Sequence, residues 1–131
     1  MNHYVLDYNR ELASNFFPQS KEVIRFYEKY FGDYQWYEDG YKLIEVPYLG
    51  MEHQSAVTYG NGFSMYNGVR SKSWPMYGVI DPLIIHETGH EWFGNSVTAS
   101  DPTHIWIHEG LQVYSEALYF EDKFKSYQVG V

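Results

Sequence analysis

His86-Glu87-Thr88-Gly89-His90, followed after eighteen intervening residues by Glu109, is the stretch on which this 131-residue chain turns. On a helix, residues i and i+4 lie on one face, so the two imidazoles can grip a single metal ion. Glu87 sits one step round the helix, near such an ion without binding it. Asp81-Pro82 predicts the start of that helix, with Asp81 able to cap and Pro82 pre-set for the first helical position. Gly94 is its expected end. Asp101-Pro102-Thr103 opens a second helix, expected to run to about Phe124, so Glu109 converges from a separate element as a third ligand. One Zn²⁺ held by His86, His90 and Glu109 keeps a fourth position for water, the arrangement of a catalytic rather than a structural site. The expected chemistry is zinc-assisted peptide hydrolysis, with Glu87 taking the water's proton and passing it to the leaving amine.

A lone His on a helix is more often packed or solvated than a ligand, and His-Glu-x-x-His by itself arises by chance. The helix start and stop signals and the convergent Glu109 raise it above that level. Glu116, seven residues beyond Glu109, lies two turns on along the same face. Such a carboxylate can accept the second ring N–H of a ligating His. A solvated helix charge is an equally ordinary explanation of Glu116 taken alone.

Working outward, Val23, Phe26, Tyr27, Tyr30 and Phe31 recur at helical spacing after Pro18 and Ser20, with Gly32 as the closing residue. Lys42-Leu43-Ile44-Glu45-Val46 predicts a strand ending at Pro47, and residues 51–59 predict a second strand lining a cleft. Residues 60–79 read as a long glycine- and aromatic-containing loop, and residues 1–17 carry no clear periodic signal.

The net charge of −8 argues against nucleic acid or an anionic membrane as partner, and plain solubility accounts for it. With no cysteine there is no disulfide framework, and the compartment is left open. No run approaches the eighteen apolar residues of a membrane-spanning segment, and residues 1–20 lack the features of a signal peptide. Aromatic residues make up 20% of the chain, so many rings in so small a domain must be partly exposed, on a surface suited to facing more protein.

His86 to Thr98, reading His-Glu-Thr-Gly-His-Glu-Trp-Phe-Gly-Asn-Ser-Val-Thr, and then Trp106-Ile107-His108-Glu109-Gly110, resemble the gluzincin aminopeptidases of the aminopeptidase N and leukotriene hydrolase family. The ligand spacing matches that family's without a gap. Upstream, Leu49-Gly50-Met51-Glu52-His53 corresponds to the family's Gly-x-Met-Glu-Asn, carried on an edge strand beside the cleft. The resemblance implies that Glu52 binds the free α-amino group of a peptide, with Gly50, Met51 and His53 beside the substrate. An ammonium paired with a carboxylate forms a charge-assisted hydrogen bond and restricts cleavage to the first residue. It also implies that Glu116 supports a zinc-binding His. Leu49 and His53 stand where the family usually has Gly and Asn, which implies a differently shaped amine pocket. His104 and His108 are read as non-ligands, because three ligands complete the set.

The fold implied is α+β, a thermolysin-like zincin core: a helix and a small, mainly antiparallel sheet, then two zinc-bearing helices packed together. The resemblance implies that the 131 residues are a single domain, the truncated core of a peptidase, and the family's N-terminal β-domain, C-terminal helical domain and downstream oxyanion Tyr are not expected within them. The expected partners are peptides with a free N-terminus and the remaining domains of the parent chain. Two alternatives stay open: a non-catalytic zinc-binding or scaffold fragment, and epoxide hydrolysis, which the same zinc site supports in one branch of the family.

Overall fold

Ser20, Val23, Phe26 and Tyr27 fall at helical spacing, and all four are buried along one face of the helix they define. In the computed structural model, which describes residues 1–60, 63 and 80–125, strand β1 (Asn2–Tyr4) leads through a single-turn 3₁₀ segment to helices α1 (Arg10–Phe16) and α2 (Gln19–Phe31). Strands β2 (Lys42–Glu45), β3 (Gly50–Met51) and β4 (Val57–Tyr59) follow, then helix α3 (Pro82–Gly89), a 3₁₀ segment (Pro102–Ile107) and helix α4 (Glu109–Phe124). Gly32 adopts φ +95°, a conformation open to glycine, and ends α2 where the sequence places its stop. Asp81 accepts a hydrogen bond from Leu83 N–H at 3.0 Å, so α3 begins at the predicted cap.

The sheet has the order β1-β2-β4-β3, with β1 beside β2 and β2 beside β4 parallel, and only β3 beside β4 antiparallel. The sheet is therefore mixed and mainly parallel, which corrects the mainly antiparallel expectation. The helices α1 and α2 supply the long crossover that a parallel β1–β2 pairing needs. β1 lies in the stretch without a periodic signal because all three of its residues are exposed. The strand expected over 51–59 is two short strands separated by a turn, in which Ser55 takes φ +59°. β3 is an edge strand.

Two helix boundaries also differ from expectation. α3 ends at Gly89 rather than Gly94, and tighter turns follow, with Glu91 N–H bonded to Thr88 O and Trp92 N–H to Gly89 O. That tightening swings Trp92 into the core, where its ring stacks on Tyr27 at 5.0 Å between centroids. The helix predicted from Asp101 is instead a 3₁₀ segment, interrupted at His104, followed by α4 beginning at Glu109. Asp101 still caps it, accepting from Thr103 N–H at 2.8 Å.

The core is largely aromatic, with Phe17, Tyr27 and Tyr59 at 1% exposure or less. α2 packs on α3, α3 packs on α4 and on the β3–β4 edge, and this stacking sets the site at the junction of α3, α4 and β3. Trp106 and Tyr114 are exposed, in keeping with the expectation of surface rings, and Val97 and Val113 are exposed as well. Most of the loop expected over 60–79 lies outside the described residues. No helix among the described residues is long and apolar enough to cross a membrane.

Candidate metal centre

α3 carries His86, and His90 caps its C-terminal end one turn on; their Nε2 atoms stand 3.2 Å apart. α4, starting at Glu109, brings that carboxylate's Oε2 to 3.6 Å from His86 Nε2 and 3.7 Å from His90 Nε2. Four ligands arranged tetrahedrally about 2.0–2.1 Å from Zn²⁺ stand roughly 3.3 Å from one another. The observed triangle therefore has the size of three corners of a zinc tetrahedron.

The hydrogen bonds behind the triangle set its chemistry. His90 Nδ1 is 2.8 Å from Phe93 O, which can only accept, so Nδ1 carries the proton and Nε2 offers a lone pair. His86 Nδ1 donates in the same way to Glu116 Oε1 at 2.7 Å. With both Nδ1 protons committed outward, two ring lone pairs and a carboxylate oxygen face each other at 3.2 to 3.7 Å. Three acceptors so close repel unless a cation or a proton sits among them. The donor set fits zinc.

The titration shifts follow the same crowding. Burial lowers the His86 pKa, but Glu116, Glu87 and Glu109 outweigh it and the net shift is upward. For His90, burial is the main cause and lowers the pKa; the hydrogen bond to Phe93 O opposes it, the His86 charge adds to it, and the net shift is downward. The pair is thus poised to share one proton or to exchange it for a metal ion.

Glu87 is buried beside the triangle, and its pKa is pushed up to about 7. Burial is the main cause; the His86 charge opposes it, while Glu52, Glu109 and Glu116 add to it. A carboxyl that gains and loses a proton near neutrality suits general acid–base work. Its place depends on Gly50: a Cβ there would come within 2.7 Å of Glu87 Oε1. Gly50 is thus the residue that lets the β3 edge close over the carboxylate.

Glu52 follows β3 and is half-buried, with a carboxylate oxygen within 4.8 Å of ligand atoms of His90 and Glu109. Met51 and His53 are exposed on either side of it. His108 Nε2 accepts the Ala99 N–H at 2.9 Å, which commits that ring atom to the backbone.

Sequence reasoning missed the residues that hold these elements together. Tyr27 Oη lies 2.8 Å from Ser115 Oγ and accepts from Gln112 Nε2 at 2.8 Å, and Gln112 also donates to Ile85 O at 3.2 Å. This buried network ties α2, α3 and α4 together close to His86 and Glu109. Glu91, next to His90, is 1% exposed, and Asn95 comes one turn later. The signal available in sequence was a carboxylate set among Trp92 and Phe93, where a surface charge is out of place.

A His-His-Glu cluster with a buried carboxyl beside it and an open edge strand is an arrangement suited to metal-assisted hydrolysis. The model of the peptidase family M1 domain matches residues 17–130, and the chain belongs to peptidase family M1. It is 32% identical to human endoplasmic reticulum aminopeptidase 2 over 124 residues, 86% of this chain and 12% of that protein. It is 30% identical to probable aminopeptidase 1 of Saccharolobus solfataricus over 98 residues, 72% of this chain and 12% of the relative. Bovine aminopeptidase N is 37% identical over 68 residues, 52% of this chain and 7% of that protein. The chain thus spans about an eighth or less of the length of these relatives.

Proposed function

We propose that this chain is the zinc-bearing core of an aminopeptidase that hydrolyses the first peptide bond of peptides with a free N-terminus. The observation that carries the reading is the triangle of His86 Nε2, His90 Nε2 and Glu109 Oε2, with edges of 3.2 to 3.7 Å and both second ring nitrogens tied back. His86, His90 and Glu109 would hold one Zn²⁺, and Glu116 would fix the His86 tautomer and raise its basicity. When bound, zinc supplies Lewis acidity toward a carbonyl oxygen and toward water.

The side chains divide the remaining work. Glu87, with a pKa near 7, holds a proton at its carboxylate and hands it to the leaving nitrogen. Glu52, just past the edge strand and beside the cluster, receives the substrate's ammonium and so measures one residue from the N-terminus to the scissile bond. Gly50 and Met51 run beside the peptide backbone on the β3 edge, and His53 borders the first subsite.

Zinc analysis of the purified chain, with hydrolysis of leucine p-nitroanilide beside its N-acetylated twin, tests the reading. One zinc per chain and rejection of the acetylated compound are expected. Glu87→Gln should keep the metal and lose turnover, whereas His86→Ala or His90→Ala should lose both. Undiminished hydrolysis by Glu87→Gln would sink the assignment.

A further inference from the structure

Glu91 is a buried carboxylate with no part in the proposed hydrolysis, and it reaches from the end of α3 to the turn that carries Glu52. Its Oε1 accepts the Ser55 N–H at 2.7 Å and, more weakly, the Asn95 side-chain amide at 3.4 Å. The same Asn95 Nδ2 donates to the backbone carbonyl of Glu52 at 2.9 Å. Asn95 is held in turn, because its own N–H donates to His90 O at 2.9 Å.

The turn needs this support. Ser55 has φ +59°, a left-handed conformation unfavourable for a residue with a side chain, and it is buried at 4% exposure. Within the turn Ala56 N–H donates to His53 O at 2.9 Å, and Ser55 O accepts from Lys42 N–H of β2 at 3.1 Å, which anchors residue 55 but leaves residues 52–54 without a bond to the sheet among these. Strand β3 is two residues long and pairs on one side only, so it cannot by itself hold residues 52–55 in place. A single buried acceptor on Oε1, with Asn95 as a bridge, therefore joins residues 52 and 55 to the helix end that bears His90.

We propose that Glu91 and Asn95 are positioning residues that clamp the 52–55 turn to the end of α3 and thereby fix where Glu52 stands relative to His90 and Glu109. Neither residue touches the substrate. The proposal rests on the reading of Glu52 as the amine-binding group for its consequence in specificity, but the clamp itself is a statement about position. Because Glu52 lies just past β3 at the edge of the sheet, the clamp would set the distance between the α-amino group and the scissile bond, and so the number of residues removed at a time.

Three variants of the full chain separate the possibilities. Glu91→Gln keeps the Oε1 acceptor, Glu91→Leu removes it, and Asn95→Ala removes the bridge while sparing the buried position. Crystal structures and Ser55 amide exchange read the clamp without reference to activity. Glu91→Leu and Asn95→Ala should shift the Glu52 carboxylate by about 1 Å or more, Glu91→Leu should speed Ser55 exchange at least tenfold, and Glu91→Gln should do neither. With leucine p-nitroanilide, the displaced Glu52 should raise KM about tenfold while kcat stays within twofold. Glu91→Gln should keep the parent's KM.

An unmoved Glu52 in both Glu91→Leu and Asn95→Ala would overturn the proposal, as would a loss confined to kcat with KM unchanged. If Glu91→Leu does not fold, Asn95→Ala alone decides the question. An inactive parent chain counts against the aminopeptidase reading, and the position of Glu52 in the variants then decides the clamp.

Discussion

Gly89→Ala sets local and tertiary preference directly against each other. Gly89 is the last residue of α3, between Thr88 and His90. Helix propensity favours alanine over glycine by about 1 kcal/mol in a helix interior, and by less at the final residue. A Cβ at this position, however, would stand 2.1 Å from Tyr27 Oη and 2.2 and 2.4 Å from the amide oxygen and nitrogen of Gln112. Both neighbours are fully buried and hydrogen-bonded to each other at 2.8 Å, so neither can swing into solvent. Overpacking a closed core costs typically 1–3 kcal/mol, and each displaced hydrogen bond of the Tyr27–Gln112–Ile85 network adds about 1 kcal/mol. The tertiary terms win by about 2 kcal/mol after the propensity gain is subtracted. The second consequence is functional: Gln112 lies one turn beyond Glu109 on α4, so pushing it outward opens the ligand triangle. Urea unfolding of the metal-free chain should show the destabilisation, and chelator competition should show weaker zinc binding. A Gly89→Ala chain as stable as the parent, with unchanged zinc affinity, would refute the packing argument.

The same geometry bears on other perturbations. Glu116→Ala should weaken zinc binding by about 10- to 100-fold, because the His86 Nδ1 proton loses the acceptor now 2.7 Å away; chelator competition measures it. Gly50→Ala should leave zinc bound but lower hydrolysis by roughly 10²-fold, since the added methyl would meet Glu87 Oε1 at 2.7 Å and displace it. In the metal-free chain Glu87 binds its proton more tightly folded than unfolded, with its pKa raised from 4.5 to about 7. That contribution is therefore fully present below about pH 4.5 and fades as pH rises through about 7, a loss of about 3 kcal/mol that urea titrations across this range should show and that Glu87→Gln should flatten. Zinc binding should strengthen as pH rises through neutrality, by up to about tenfold per unit for each proton displaced from the cluster, as calorimetry in two buffers would record.

The convergence of His86, His90 and Glu109 was legible in part from short-range geometry, because residues four apart along a helix share a face. The cap at Asp81 and the stop at Gly32 were legible for the same reason, since each acts through its own backbone. The direction of the strands was not. Leu43 and Val57 are both buried, and their spacing predicts strands, but nothing in either segment states that they run parallel as neighbours in the sheet. The end of α3 was misplaced because Gly94 is the stronger local stop, whereas the chain leaves the helix at Gly89 to seat Trp92 against Tyr27.

Glu91 marks the same divide within the site. In sequence a glutamate after His90 reads as one more charge of an acidic protein, while in the fold it is a buried acceptor for a backbone N–H 36 residues away. By itself, then, the sequence determined which side chains could bind a metal, because the 3.6-residue turn and the caps are properties of neighbouring residues. Only the tertiary structure decided that α4 lies close enough to close the triangle, that Gly50 and Gly89 must lack a side chain, and that Glu52 stands beside the cluster. Those depend on which surfaces meet, and close packing of distant segments is not written in any one of them.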